Sequence, residues 1–215
     1  MQDNENRPYQ QCTRCIMDTT DPEISFDEKG QCNHCTEYFR LAPLYIYDGE
    51  KGEQAREALI AKIKEAGKNS DYDCMVGVSG GVDSTYVAYM AKKFGLRILA
   101  FHFDNGWNSE LAVKNVENIV KKLDIDYQTW VVDWEEFRDL QISFLKASVA
   151  NAEIPSDHAF LAATYHLCAK YNIKYFLSGS NFATEGILPK SWGYNAKDVK
   201  HLKGIHKLFG KIKFK

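Results

Sequence analysis

The chain has 215 residues, 45% of them hydrophobic and 26% charged, and a formal net charge of −2. That composition supports a packed core for one moderate domain plus a small appendage, and it excludes a global electrostatic pull toward nucleic acid or membrane. The sequence has no 18-residue apolar run, no apolar stretch near its N-terminus and no Asn-x-Ser/Thr sequon. The expectation is a cytoplasmic protein without signal or membrane segment, whose six cysteines are thiols or metal ligands.

In chain order, Cys12-Thr-Arg-Cys15 and Cys32-Asn-His-Cys35 come first, with 16 residues between them. Paired CxxC turns at this spacing fit a four-cysteine zinc site; an iron–sulfur or redox role and plain thiols are the alternatives. Asp21-Pro22 and Lys29-Gly30 are turn signals around a short strand, Ile24 to Phe26. Such a hairpin buries too little to fold alone, so the metal would supply its folding energy. His34 reads as a bystander inside the second turn.

Residues 50–67 read as a surface helix with Ala55, Leu59, Ile63 and Ala66 on one stripe. From Cys74 on, strands and helices alternate. The predicted strands are Cys74–Val78, Arg97–Phe103, Asp126–Val132 and Ile173–Leu177. The predicted helices are 85–94, 110–123 behind a Ser109 cap with Val113, Val116, Val120 and Leu123 inward, 135–150, and one from about 157 to 171. Repeated βα units imply a doubly wound parallel sheet with right-handed crossovers and expected strand order 3-2-1-4. The expected organisation is a zinc-binding segment at 1–49, a helix and linker at 50–70, the α/β domain at 71–190, and a basic segment at 191–215. Residues 190–215 carry eight lysines and two histidines against one acid, Asp198; this is either a solvated basic tail or a patch for a phosphorylated substrate.

The stretch Val78-Ser79-Gly80-Gly81-Val82-Asp83-Ser84 is the chemical centre of the sequence. It joins a buried strand to a helix, placing glycines and free backbone N–H groups at a positive dipole end, where an anion binds. Gly80 and Gly81 allow close approach of the backbone, and Ser79 and Ser84 add hydroxyl donors. The Asp83 carboxylate repels phosphate unless Mg²⁺ lies between them. Asp83 and Ser84 are therefore the candidate catalytic residues, with Asp83 the Mg²⁺ ligand. In a doubly wound sheet the loops after the first and fourth strands flank one crevice, which adds Gly179 and Ser180. His102, at the end of the second strand, is equally readable as a satisfied core histidine, and Asp104-Asn105 as a simple turn.

The motif Ser79-Gly-Gly-Val-Asp-Ser84 resembles the pyrophosphate loop of the N-type ATP pyrophosphatases. The resemblance implies a PP-loop, adenine nucleotide alpha hydrolase-like fold and ATP split into AMP and pyrophosphate, with the backbone of His102 and Phe103 meeting adenine. It is not a Walker A loop, since no Lys-Ser or Lys-Thr follows its glycines.

Longer stretches, Cys12-x-x-Cys-Ile-Met-Asp-Thr-Thr-Asp-Pro22, Ile24 to Cys35, Asn181 to Tyr194 and His201 to His206, resemble the N-acetyl sugar amidotransferases of bacterial surface-polysaccharide (O-antigen, lipopolysaccharide) and flagellin-glycan biosynthesis. Members of that family run on past the point where this sequence ends, so a truncation after Lys215 is expected. The resemblance implies conversion of the acetamido group of a nucleotide-activated sugar to an acetamidino group, with ATP, Mg²⁺ and structural Zn²⁺. Ammonia would come from a separate glutaminase, since Cys74 and Cys168 lie in apolar elements and read as core thiols; a homo-oligomer is an open expectation. The expected sugar mouth has Asn105 and Trp107 on one side, Asn181, Glu185 and Lys190 on the other, and Asp157, in the loop before a helix, as a third wall. A tRNA thiolase of the same fold and a non-catalytic zinc-ribbon module are the alternatives; the near-neutral charge disfavours the first and the intact loop the second.

Overall fold

A computed structural model describes residues 7–189 and 192–213. Its elements in chain order are α1 (Asn33–Tyr45), α2 (Gly49–Gly67), β1 (Cys74–Gly77), α3 (Val82–Lys93), β2 (Ile98–Asp104), α4 (Glu110–Leu123), β3 (Asp126–Val131), α5 (Trp134–Ala147), α6 (Ile154–Lys170), β4 (Phe176–Leu177), α7 (Phe182–Glu185) and α8 (Val199–Phe209). They divide into two compact units, Met1–Ala55 with Ser180–Gly193, and Arg56–Gly179 with Tyr194–Lys215.

In the larger unit the four strands form one parallel sheet in the order β3-β2-β1-β4. This is the expected order, and the fold is α/β with a doubly wound sheet. Side-chain alternation along β1 and β2 sorts the core into two layers. Val76, Ile98 and Ala100 pack with Ala88 and Ala91 of α3 and Val116 of α4 on one face. Met75, Leu99 and Phe101 pack with Ala163 and Leu167 of α6 on the other. Both central strands are thus covered on both faces, which is why they read as unbroken apolar runs. A satellite cluster of Leu140, Phe144, Ile154 and Leu202 joins α5 and α8 to the start of α6.

Several element boundaries differ from the sequence expectation. Helix α3 begins at Val82, so Val82, Asp83 and Ser84 form its first turn, and Gly81 is the cap. Helix α6 begins at Ile154, with Pro155 tolerated in the first turn where no N–H is needed. Asp157 is therefore helical and not in a preceding loop. The fourth strand shrinks to Phe176–Leu177, since it pairs only with β1 at the sheet edge. Val113 is half-exposed, because α4 turns Val116 and Ile119 inward in its place. On α2, Leu59 is half-exposed and Ala55 and Ala66 face solvent, leaving Ile63 and Gly67 as the buried positions.

In the smaller unit the strand expected at Ile24–Phe26 reduces to isolated bridges, Gln11 with Asp18 and Phe26 with Cys32. Ile24 and Met17 pack around the cysteines. Tyr38 stacks on Phe182 at 5.3 Å between centroids and donates to the Ala183 carbonyl, tying α1 to α7.

Candidate functional site

The Ser79–Ser84 loop leaves the C-terminal end of β1 and enters α3. Gly80 lies at φ +82°, and a Cβ there would fall 2.4 Å from the Ala112 carbonyl oxygen of α4. Only glycine meets both demands, a left-handed backbone and contact with a neighbouring helix. The Gly80 carbonyl accepts a hydrogen bond from Asn115 Nδ2 at 3.1 Å, so α4 pins the loop at two points. The loop then closes on itself. Ser79 N–H donates to Ser84 Oγ at 3.2 Å, the two serine hydroxyls meet at 3.1 Å, and Thr85 Oγ1 donates to the Gly81 carbonyl at 2.6 Å.

Gly81 caps α3 with no side-chain hydrogen bond. The first-turn N–H groups therefore point out of a glycine rim, with the helix dipole behind them. Asp83 is exposed on the same turn. Gly179, after β4, packs against this turn so closely that a Cβ would lie 3.0 Å from both Asp83 Cβ and Ser84 N. Ser79 to Ser84 and Gly179 are thus brought together at the sheet's C-terminal edge, where the strand order β2-β1-β4 reverses direction.

His102 is buried on the face toward α3 and α4. Its Nδ1 lies 2.9 Å from the Val78 carbonyl, which can only accept, so Nδ1 carries the proton. Nε2 is buried with no hydrogen-bond partner among the described residues. The imidazole thus braces the residue that opens the loop. Phe103, half-buried, packs edge-on against Phe160.

Of the residues expected at the sugar mouth, Asn105, Trp107 and Asp157 belong to the larger unit. Asn105 Nδ2 donates to Ser156 Oγ at 3.3 Å, and Asn105 Oδ1 accepts from Trp107 N–H at 3.1 Å. Asp157 accepts a hydrogen bond from Tyr194, which with burial pushes that phenol up to about 12. Ser180, Asn181 and Glu185 belong to the smaller unit. There Asn181 caps α7 through Thr184 N–H at 2.9 Å, and Glu185 accepts from Asn181 N–H at 3.2 Å, so both side chains hold their own turn. Lys190 lies outside the described residues.

The sequence reading missed Asn115, Gln141, Ser156 and Trp134. Gln141 of α5 and Ser156 of α6 are buried polar residues, and an inward-facing polar position is the one signal that pattern reasoning could have used.

The four cysteines of the smaller unit converge, with all Sγ atoms within 4.8 Å of one another. Cys12 and Cys35 sulfurs are 3.9 Å apart and those of Cys15 and Cys32 are 3.7 Å apart. Four sulfurs placed ~2.3 Å from a tetrahedral zinc stand ~3.8 Å apart, so the donor set fits that ion. Arg14 and Cys32 N–H groups point at the Cys12 sulfur, at 3.4 and 3.3 Å. Burial opposes the Cys12 thiolate, but N–H donors of Cys15, Arg14 and Cys32 outweigh it and bring the thiol to about 6. Burial pushes the other three thiols up. His34 Nε2 is 2.6 Å from buried Asp21 and points to that carboxylate. Cys74 and Cys168 belong to the larger unit; burial raises both thiols, Cys74 to about 12.

A family model described as Queuosine biosynthesis protein QueC matches residues 73–166, a stretch that contains the whole loop. No curated protein matches the chain. Among solved structures, glutamine-dependent NAD+ synthetase from Acinetobacter baumannii in complex with adenosine diphosphate aligns with a TM-score of 0.52 at 14% identity, over 75% of this chain and 34% of that one. That likeness shows a shared α/β fold. NMN synthetase from Francisella tularensis aligns at 17% identity over 57% of this chain and 52% of that one, with a TM-score of 0.46. NH3-dependent NAD synthetase from Campylobacter jejuni subsp. jejuni aligns at 19% identity over 61% and 57%, also at 0.46. The chain thus spans about half the length of these last two structures. Among the described residues, no helix is long and apolar enough to cross a membrane.

Proposed function

We propose that this chain is an ATP-dependent, AMP-forming enzyme that activates an amide, converting the acetamido group of a nucleotide-activated N-acetyl sugar to an acetamidino group. The observation that carries the nucleotide half is the glycine-capped N-terminus of α3, with Gly80 in a left-handed conformation and the Ser79 and Ser84 hydroxyls converging on it. A rim of N–H and O–H donors at a positive dipole end suits pyrophosphate. Asp83 is the residue to hold Mg²⁺, an ion that neutralises phosphate charge when bound. The sugar half rests on the sequence resemblance carried by Cys12–Pro22, Ile24–Cys35, Asn181–Tyr194 and His201–His206.

The chemistry balances. The amide oxygen attacks the α-phosphorus of ATP, and the bond to the β-phosphate oxygen breaks, releasing pyrophosphate toward the Ser79–Ser84 donors. The resulting O-adenylyl imidate carries a good leaving group in place of a poor one. Ammonia, delivered by a partner glutaminase, attacks the imidate carbon; AMP leaves with the former amide oxygen, and a proton is released. The donors of the loop act where negative charge grows on the departing pyrophosphate. The four sulfurs of Cys12, Cys15, Cys32 and Cys35 are assigned to one structural zinc.

The test is incubation of the protein with ATP, Mg²⁺, ammonium chloride and a panel of UDP-linked N-acetyl hexosamines. AMP and the amidino sugar, identified by mass, are expected in equal amounts. AMP formation that ignores the sugar, or none with any of them, defeats the sugar assignment.

A further inference from the structure

The Gln141–Ser156 pair inside the larger unit has no place in the reaction above, yet it is built with care. Gln141 on α5 and Ser156 on α6 are 7% and 6% exposed. Trp107 Nε1 donates to Gln141 Oε1 at 2.8 Å, and Gln141 Nε2 donates to Ser156 Oγ at 3.2 Å. Asn105 Nδ2 also donates to Ser156 Oγ, and the Asn105 Oδ1 accepts the Trp107 backbone N–H. Four residues from a loop and two helices close a hydrogen-bonded ring. Buried polar groups are costly unless satisfied, and the visible result of satisfying these is a fixed indole.

Trp107 as a residue is 63% exposed. The one polar atom of its indole is bonded inward, so what the indole offers to solvent is an apolar ring. Trp134, 43% exposed, meets it edge-on with centroids 5.8 Å apart. Gly106, at φ +81°, lets the loop lie on Trp134, since a Cβ there would come within 2.8 Å of the ring. Both tryptophans follow strand C-termini, those of β2 and β3, on the ligand side of a doubly wound sheet. Large aromatic surface left exposed but rigidly held is the form of a binding platform.

The surrounding charge selects the ligand. Asp133, Glu135 and Glu136 beside Trp134 and Glu110 at the start of α4 outnumber the basic residues next along the chain, Lys114 and Arg138. That acidic balance disfavours a phosphate and favours a neutral, hydroxyl-rich ring. We propose that Trp107 and Trp134 form a stacking platform for the pyranose ring of the sugar substrate, with Gln141 and Ser156 as its positioning residues. The identity of that ring as an N-acetyl sugar rests on the reaction proposed above.

Binding is measured by calorimetry without ATP, using UDP-N-acetylglucosamine as probe and UDP as control. Trp107→Ala is expected to weaken the sugar nucleotide about tenfold, the scale of one lost ring contact, with UDP and ATP affinities unchanged. Gln141→Met is expected to weaken it several-fold in the native background and by less than twofold in a Trp107→Phe background, because Gln141 acts through the indole N–H. Ser156→Ala, which removes a smaller group, is the second variant if Gln141→Met melts early. Equal effects of Gln141→Met in both backgrounds, unchanged binding in Trp107→Ala, or no binding of the probe to the native protein each overturns the platform. Sugar binding with this pattern but no sugar-dependent AMP leaves the platform standing and defeats the reaction alone.

Discussion

The two loop glycines separate what folding requires from what a ligand requires. Gly80 sits at φ +82°, and its missing Cβ would fall 2.4 Å from the Ala112 carbonyl oxygen and 3.0 Å from two further Ala112 backbone atoms. Those atoms are helix backbone and cannot rotate aside. Gly81, by contrast, has φ −83° and ψ 165°, and its nearest foreign atom is the rotatable Ser79 hydroxyl at 3.4 Å. Gly80→Ala therefore carries about 1–2 kcal/mol of left-handed strain, plus the displacement of the loop off α4. A chain of this size loses about 2–4 °C in Tm per kcal/mol, so strain alone predicts a fall of about 2–8 °C. The loop shift also breaks the Asn115 bond to the Gly80 carbonyl. Misplacing phosphate donors by about 1 Å costs on the order of 10²-fold in turnover. Gly81→Ala should keep its native Tm and lose AMP formation all the same, because its methyl enters the space that pyrophosphate must approach; Gly81→Val should fail more completely. Thermal unfolding and AMP release, measured side by side on both alanine variants, check this. Native Tm and turnover in Gly80→Ala would refute the geometric argument, and full activity in Gly81→Ala would refute the placement of pyrophosphate on this rim.

Asp83→Ala should abolish AMP and pyrophosphate release with an unchanged circular dichroism spectrum, and undiminished turnover at saturating ATP and Mg²⁺ would remove Asp83 from the metal's shell. Metal analysis should find about one zinc per chain; Cys12→Ser should release it and expose the smaller unit to protease before the larger one, whereas iron with visible absorption in anaerobic preparations would overturn the assignment. Asp139 accepts from Ile212 and Lys211 N–H groups, at 3.0 and 2.8 Å, and lies 2.9 Å from His206 Nε2. Those donors, Ile212 first, hold its carboxyl down at about 2 against burial, which would raise it. A depressed carboxylate stabilises fully above its unfolded pKa near 4 and loses that contribution as pH falls through about 2. Asp139→Asn should therefore melt earlier than the native protein at pH 7, with the gap narrowing between pH 4 and pH 2; a pH-independent gap would show that the charge is irrelevant.

The strand order and the loop were legible because both follow from short-range rules. Apolar runs such as Met75-Val76 and Leu99-Ala100-Phe101 admit one parallel arrangement between helices, and a strand, two glycines and a helix cap make one kind of turn. Helix faces were less legible. Val113 and Ile119 both satisfy an amphipathic pattern on α4, and the choice between them depends on how α4 leans on Gly80, a tertiary fact. The CxxC pairs declared their cluster because spacing alone brings four sulfurs together. The sequence did not mark the local partners of Asp157 and Asn181, since polar residues near turns also serve as caps and clamps: one is bonded to Tyr194 and the other caps α7. Gln141 and Ser156 were invisible for the opposite reason. Their partner, Trp107, is 34 residues from Gln141 along the chain, and no local pattern marks a hydrogen bond of that span.

The loop's conformation is set from outside as much as from within. Its internal bonds, Ser79 to Ser84 and Thr85 to Gly81, would close a similar turn in many sequences. What fixes this one is that two neighbouring strand–helix units, β2-α4 and the one that β4 opens, touch it at three places. Asn115 and Ala112 of α4 hold Gly80, Gly179 after β4 packs under Asp83 and Ser84, and His102 of β2 donates to the Val78 carbonyl. The donors are therefore aimed before any ligand arrives, and binding does not have to order them, which removes an entropic cost that a free glycine loop would carry. It follows that Asn115→Ala, a change that touches neither glycine nor either serine, should weaken ATP binding while leaving the sheet intact.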